Sequence, residues 1–178
     1  MTPEQTTPFR YVYDRFLSKV TDDLYLELTE EDTYADLQAI LINAIPGFEF
    51  PRCPIFNYST IAYANEDGEN ILGDKGQGYF NCVLTHEEID ILSDLMMIEW
   101  LSRQIASVEN IRMKYSGSDF KFTSQANHLD KLLKTKREFL LGNKHKQRLY
   151  RRRKVDFNTG AITPNWGGLA GGVTSGRK

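Results

Sequence analysis

Between Thr85 and Tyr115 apolar residues recur at helical intervals, and this run constrains the fold more than any other feature of the chain. Thr85-His86-Glu87-Glu88 is a capping box, in which Thr85 can accept from the amide of Glu88 while the Glu88 side chain reaches back. The stripe Ile89, Leu92, Leu95, Met96, Leu101, Ile105, Val108 and Ile111 then continues for roughly six to seven turns. Met97, Ile98 and Trp100 widen it beyond one face, so the helix is expected to be buried on two sides. A helix of this kind needs other helices around it, and leads to a mainly α fold in which residues 86–114 are the central packing element.

The flanking segments supply those partners. Phe9, Val12, Tyr13, Phe16 and Leu17 share one face of a short amphipathic helix over residues 9–19. A second helix starts near Thr29 or Asp32, carries Leu37, Ile40, Leu41 and Ala44, and stops at Ile45-Pro46-Gly47, because proline excludes its predecessor from helical geometry. From about residue 50 to 84 prolines, glycines and scattered aromatics replace the helical period. Ser59 to Ala64 and Tyr79 to Leu84 read as strands, with Asn65-Glu66-Asp67-Gly68 and the run Gly73 to Gly78 as turns, giving a β-hairpin insert. Past Ser116-Gly117-Ser118-Asp119, Phe120 and Phe122 read as extended. Thr123 or Ser124 then caps a last helix with Leu129, Leu132, Leu133 and Leu140 on one face. The expected architecture is a helical bundle over residues 1–152 with a small β-hairpin insert at about 50–84. An extended C-terminal arm follows over 153–178, whose last stretch has no period and six glycines.

Charge is distributed unevenly. Residues 1–100 hold 19 Asp/Glu against 5 Lys/Arg, whereas residues 101–178 hold 5 Asp/Glu against 17 Lys/Arg, so a formal net charge of −2 conceals halves of −14 and +12. Such a chain can pair its own halves, pair head to tail with another copy, or turn its basic end to an acidic partner. Nothing approaches the run of about 18 apolar residues that a transmembrane helix needs, so no membrane contact is expected. The polar segment Met1 to Arg10 lacks the apolar core of a signal peptide. Cys53 and Cys82 are therefore expected to be reduced thiols in a protein assembled in a cytosol.

Catalytic and ligand-binding templates find little purchase. His86-Glu87-Glu88-Ile89-Asp90 lacks the second histidine of a zinc helix, and reads as acids placed at a helix start. His128 and His145 have no ligand-type neighbours. Gly73-Asp74-Lys75-Gly76-Gln77-Gly78 lacks the Gly-Lys-Ser/Thr ending of a phosphate loop and precedes a strand, so it reads as a turn. Glu27, Glu30, Glu31 and Asp32 read as solvated helix ends. The expectation is a chain that is not an enzyme and holds neither cofactor nor metal.

The basic run is another matter. Residues 131–154 contain eleven Lys/Arg and one acid, Glu138. Neighbouring positives on one helix repel by tenths of a kcal/mol each, which an anionic partner relieves. Lys144, Lys146, Arg148, Arg151, Arg152, Arg153 and Lys154 are thus the expected contacts to a partner protein or to DNA, and Phe157, Ile162 and Trp166 the expected anchors of the arm. With one aromatic among residues 144–154, Tyr150, and no base-reading spacing of Asn or Gln, contact with nucleic acid would involve phosphates and ignore sequence. The alternative reading is accordingly a sequence-tolerant nucleic-acid-binding protein that uses residues 144–154.

The order of elements resembles a known family. A helix pair with Asp32-Thr33 and Asp36-Leu37 comes first. A β insert then leads to a long helix with Leu84-Thr85-His86-Glu87-Glu88 and Met96-Met97-Ile98-Glu99-Trp100-Leu101, and Lys114-Tyr115-Ser116-Gly117-Ser118-Asp119-Phe120 precedes the last helix. Over roughly residues 9–150 this layout resembles the neck, or head–tail connector, proteins of tailed bacteriophages. The resemblance implies a structural virion protein, an adaptor assembled in the host cytoplasm as a ring, typically a dodecamer. That ring would join the portal vertex of the capsid to the tail or to a further neck ring. It would line the channel through which packaged DNA passes during ejection, without sequence specificity. The long β insert and the basic, glycine-rich end depart from the family pattern.

Overall fold

The computed structural model describes residues 6–20, 25, 28–60, 63–64, 70–72, 78–114, 122–155 and 162–164. They form a mainly helical fold with a small antiparallel sheet, as the hydrophobic periodicity leads one to expect. In chain order the elements are β1 (Thr7–Pro8), α1 (Arg10–Leu17), α2 (Glu30–Ala44) with a 3-10 turn at Ile45–Gly47, β2 (Tyr58–Ser59), β3 (Tyr63–Ala64), β4 (Asn70–Leu72), β5 (Tyr79–Phe80), α3 (His86–Lys114), α4 (Phe122–Arg152), β6 (Arg153–Val155) and β7 (Ile162–Pro164).

The centre is α3, against which α1, α2 and α4 all pack. Its capping box forms in both directions. The Glu88 amide donates to Thr85 Oγ1 at 3.3 Å, and the Thr85 amide donates to a Glu88 carboxylate oxygen at 2.7 Å. Eight consecutive residues, Ile91 to Ile98, are buried. A helix can bury every side of two turns only when neighbours surround it there. Farther along, Leu101 and Ile105 are buried while Arg103, Ala106 and Ser107 are exposed, so one face remains covered. Phe9, Val12, Tyr13 and Phe16 from α1 meet Leu37, Ile40, Leu41 and Ala44 from α2 around this centre, with Phe48, Ile55 and Phe80 closing the cluster. Thr29 caps α2 by accepting from the Asp32 amide at 3.2 Å.

The β insert forms a hairpin, but not a separate one. β5 pairs antiparallel with β2 through Tyr58↔Phe80 and Ser59↔Tyr79. Its other edge takes β1, with Thr7↔Phe80 and Pro8↔Tyr79. β3 and β4 pair with each other, nested in sequence between β2 and β5. The strand at Thr7–Pro8, in the polar N-terminal segment, stitches the insert to the start of α1, where the Phe9 amide donates to the Gly78 carbonyl at 2.9 Å. Gly78 sits where a Cβ would lie 2.1 Å from the Ser59 carbonyl oxygen and 2.9 Å from Thr60 Cα, so only glycine allows the backbones this close.

The strands expected over Ser59 to Ala64 and Tyr79 to Leu84 are shorter, with β2 ending at Ser59, β3 starting at Tyr63 and β5 limited to Tyr79–Phe80. α4 runs unbroken from Phe122, which the sequence reading took as extended, through Gly142 to Arg152. The helical period changes character there: the face that enters the core after Gly142 is Asn143, Gln147 and Tyr150 rather than leucine. Within the arm expected over 153–178, β6 and β7 pair antiparallel with Lys154↔Thr163 and Val155↔Ile162. The turns Asn65 to Gly68 and Gly73 to Gln77 and the segment around Phe120 lie outside the described residues.

Candidate functional site

The C-terminal half of α4 concentrates the charge of the molecule, and it has an inner and an outer face. The inner face is bound to α3 in antiparallel register. Lys146 Nζ lies 2.5 Å from carboxylate oxygens of both Asp90 and Asp94, and Arg153 Nη1 lies 2.9 Å from Glu87. Glu87 and Asp94 are seven residues apart, as are Lys146 and Arg153. The two turns of α3, about 10.5 Å of rise, are therefore matched by the last turns of α4 and the first residue of β6. From the opposite side Lys19 reaches Asp90 at 3.1 Å and Asp94 at 2.6 Å, and Arg15 reaches Asp90 at 3.1 Å.

Polar groups between these bolts form a connected network, from which Arg52 Nη1 is left buried without a hydrogen-bond partner. Tyr150, fully buried, donates from its hydroxyl to Glu88 at 2.5 Å and accepts from the Arg52 amide at 3.0 Å. Arg52 Nη2 in turn donates to the carbonyls of Tyr150 and Arg153, both at 2.6 Å, and its guanidinium lies 3.9 Å from the Tyr150 ring centre. Asn143 donates to the Ile91 carbonyl at 2.9 Å. Gln147 donates to the Gly47 carbonyl and to Asn143, and accepts from the Glu49 amide at 2.8 Å. Unmade, each such bond would leave a buried group costing about 1–3 kcal/mol.

The ionisation equilibria follow this packing. Burial pushes the Asp90 carboxyl up, but hydrogen bonds and charge from Lys146 and Lys19 outweigh it and hold the group well below the usual carboxylate range. Burial pulls Lys146 down, and the bonds from Asp90 and Asp94 more than restore it, leaving it raised. For Tyr150, burial and then the bond to Glu88 push the phenol up.

The outer face carries Lys144, Arg148, Arg151 and Arg152, all exposed. Arg151 lies over the Phe50 ring at 4.4 Å from its centre, itself half uncovered. Lys144, Arg148 and Arg152 have no ion-pair partner among the described residues. The seven expected contact residues thus divide. Lys146 and Arg153 are bolts of the fold, four others point outward, and Lys154 lies in β6 with its side chain outside the description. Ile162 is paired with Val155 in the backbone ladder. Phe157 and Trp166 lie outside the described residues.

The sequence reading missed Asp90, Asp94 and Lys19 as anchors, and gave Glu88 its capping role but not its bond to Tyr150. The available signal was the acidic spacing Glu87, Asp90, Asp94 along one helix face, matched by Lys146 on the last helix and Arg153 just beyond its end. Asn143 and Gln147 are committed to the interior, so neither is available to read bases. Among the described residues no three His, Cys, Asp or Glu side chains converge as a metal site, and no helix is long and apolar enough to cross a membrane. Compared with protein families, curated proteins and solved structures, the chain matches none.

Proposed function

We propose that the chain is a non-catalytic structural subunit of a tailed-phage neck, assembling as a ring that docks on the portal and passes DNA to the tail. The observation that carries this reading is the outward row Lys144, Arg148, Arg151 and Arg152. It sits on a helix locked in place by its inner face, at the root of the C-terminal extension. Four cations on a rigid support lose little freedom on meeting an anionic surface, and their mutual repulsion is relieved by it. A protein partner suits the role better than phosphates, since tight phosphate binding would resist the sliding of DNA.

The test uses the purified full chain, a portal complex from the same virus and electron microscopy. Rings seated on the portal are expected, with docking that weakens as salt rises. Changing Arg148, Arg151 and Arg152 together to Gln should weaken docking and flatten its salt dependence while leaving circular dichroism unchanged. Unaltered docking by that variant, with lost affinity for duplex DNA, would favour a sequence-tolerant nucleic-acid-binding protein instead.

A further inference from the structure

At the base of the β insert, Cys53 and Cys82 face each other with their sulfurs 2.7 Å apart, and both thiols are free. They lie 29 residues apart, on the two strands of chain that enter and leave the insert. Each is held by a separate set of bonds. The residue before Cys53, Arg52, is clasped to the end of α4 through Tyr150 and Arg153. The Cys82 carbonyl accepts from Thr7 Oγ1 at 2.9 Å, and the same hydroxyl accepts from the Leu84 amide at 2.8 Å. Two thiols brought together by independent supports have already met the ordering cost of joining.

We propose that Cys53 and Cys82 are a reversible dithiol–disulfide pair that closes the base of the β insert, with a low-molecular-weight disulfide as oxidant. The chemistry is two successive exchanges. The Cys82 thiolate attacks one sulfur of oxidised glutathione; a Cys82–glutathione bond forms and one glutathione thiolate leaves. Cys53 then loses its proton to solvent and attacks Cys82 Sγ, expelling the second glutathione thiolate. Two electrons pass from the protein thiols to the oxidant, and two molecules of reduced glutathione are released once their thiolates take up protons. A proton shared between the two sulfurs, 2.7 Å apart, stabilises the first thiolate formed, and Cys82, lowered by that bond against burial and the charge of Glu88, takes this part. The same shared proton, with burial, pushes Cys53 up, so it enters second. Both residues are partly exposed, which gives the oxidant access.

Oxidation joins the segment that clasps the end of α4 to the segment that holds β1. It therefore sets how firmly the root of the C-terminal extension is tied to the bundle. The experiment equilibrates the full wild-type chain in glutathione buffers of graded oxidation, quenches with acid, alkylates and maps disulfides by mass spectrometry. A Cys53–Cys82 cross-linked peptide in monomeric protein is expected, reversed by dithiothreitol, with the oxidised form melting at a higher temperature. Cys53→Ser should stop at a glutathione adduct on Cys82, and Cys82→Ser at one on Cys53, with no internal disulfide in either. If excess oxidised glutathione leaves the wild-type chain as a dithiol, or yields only glutathione adducts or linked dimers, the proposal fails. The wild-type titration decides this without reliance on any variant folding.

Discussion

Gly142 offers a prediction whose sign depends on the architecture. It is the one point in α4 where composition argues for a stop, yet the helix continues ten residues beyond it to Arg152. A Cβ built at Gly142 meets nothing within 4 Å, and its backbone is not in the left-handed region. Gly142→Ala therefore neither clashes nor gains packing. What remains is the backbone freedom that glycine loses in a helix, about 0.8–1.0 kcal/mol relative to alanine. The variant should be more stable by close to that amount, raising the melting temperature by about 2–4 °C for a chain of this size. Urea unfolding followed by far-ultraviolet circular dichroism measures it, with the midpoint moving up and the slope unchanged. Were Gly142 instead a helix-ending residue in the left-handed conformation, alanine would cost about 1–2 kcal/mol. A destabilised Gly142→Ala would thus refute the continuous helix, and with it the placing of Lys146 and Tyr150 against α3.

Other perturbations probe different links. Gly78→Ala forces a methyl against the backbone of Ser59 and Thr60, which cannot swing aside as a side chain could, so a loss of at least about 1–3 kcal/mol is expected by chemical denaturation. Leu101→Ala empties a site that is 2 % exposed and should cost about 2–5 kcal/mol, while a cost under about 1 kcal/mol would place the residue outside the core. Asp90 has a depressed carboxyl, so the unfolded chain binds more protons than the folded one between the two pKa values, and its stabilisation is complete above the ordinary value of about 3.9. That contribution should disappear as pH falls below about 4, and Asp90→Asn should flatten the acid limb of a stability–pH curve while lowering stability near neutrality.

How far the sequence discloses the molecule depends on what buries each element. The α1 face, the α2 face with its Thr29 cap, and the α3 stripe with its capping box are buried by aliphatic and aromatic side chains, and periodicity finds these. Leu95, Met96 and Leu101 are nearly inaccessible, as their spacing implies. The end of α4 is buried by Asn143, Gln147 and Tyr150, and no hydrophobic pattern reveals a polar face that enters a core because each of these groups finds a partner. The leucines of the first part of α4 mislead in the opposite direction: Leu133 is 46 % exposed and Leu140 37 %. β1 escapes notice because two residues carry no alternation, and only β5 gives Thr7–Pro8 a reason to be extended.

The charge asymmetry of the sequence has two destinations, and the helix period separates them. Residues 146 and 150 lie four apart on one side of α4 and Arg153 follows at the start of β6, which is why the cations there meet Glu87, Asp90 and Asp94 and why Tyr150 meets Glu88. Residues 144, 148, 151 and 152 are carried round to the other side by the same geometry. Sliding α4 by one turn along α3 would shift every inner pair by about 5.4 Å at once and leave buried carboxylates without cations, so the inner pairs specify a single register. That register in turn fixes where the outer cations stand. Substitution of Lys146 or Arg153 would weaken a docking measurement through the register, whether or not either residue touches a partner. Only Lys144, Arg148, Arg151 and Arg152 can report on docking itself, which is why the triple variant spares the inner face.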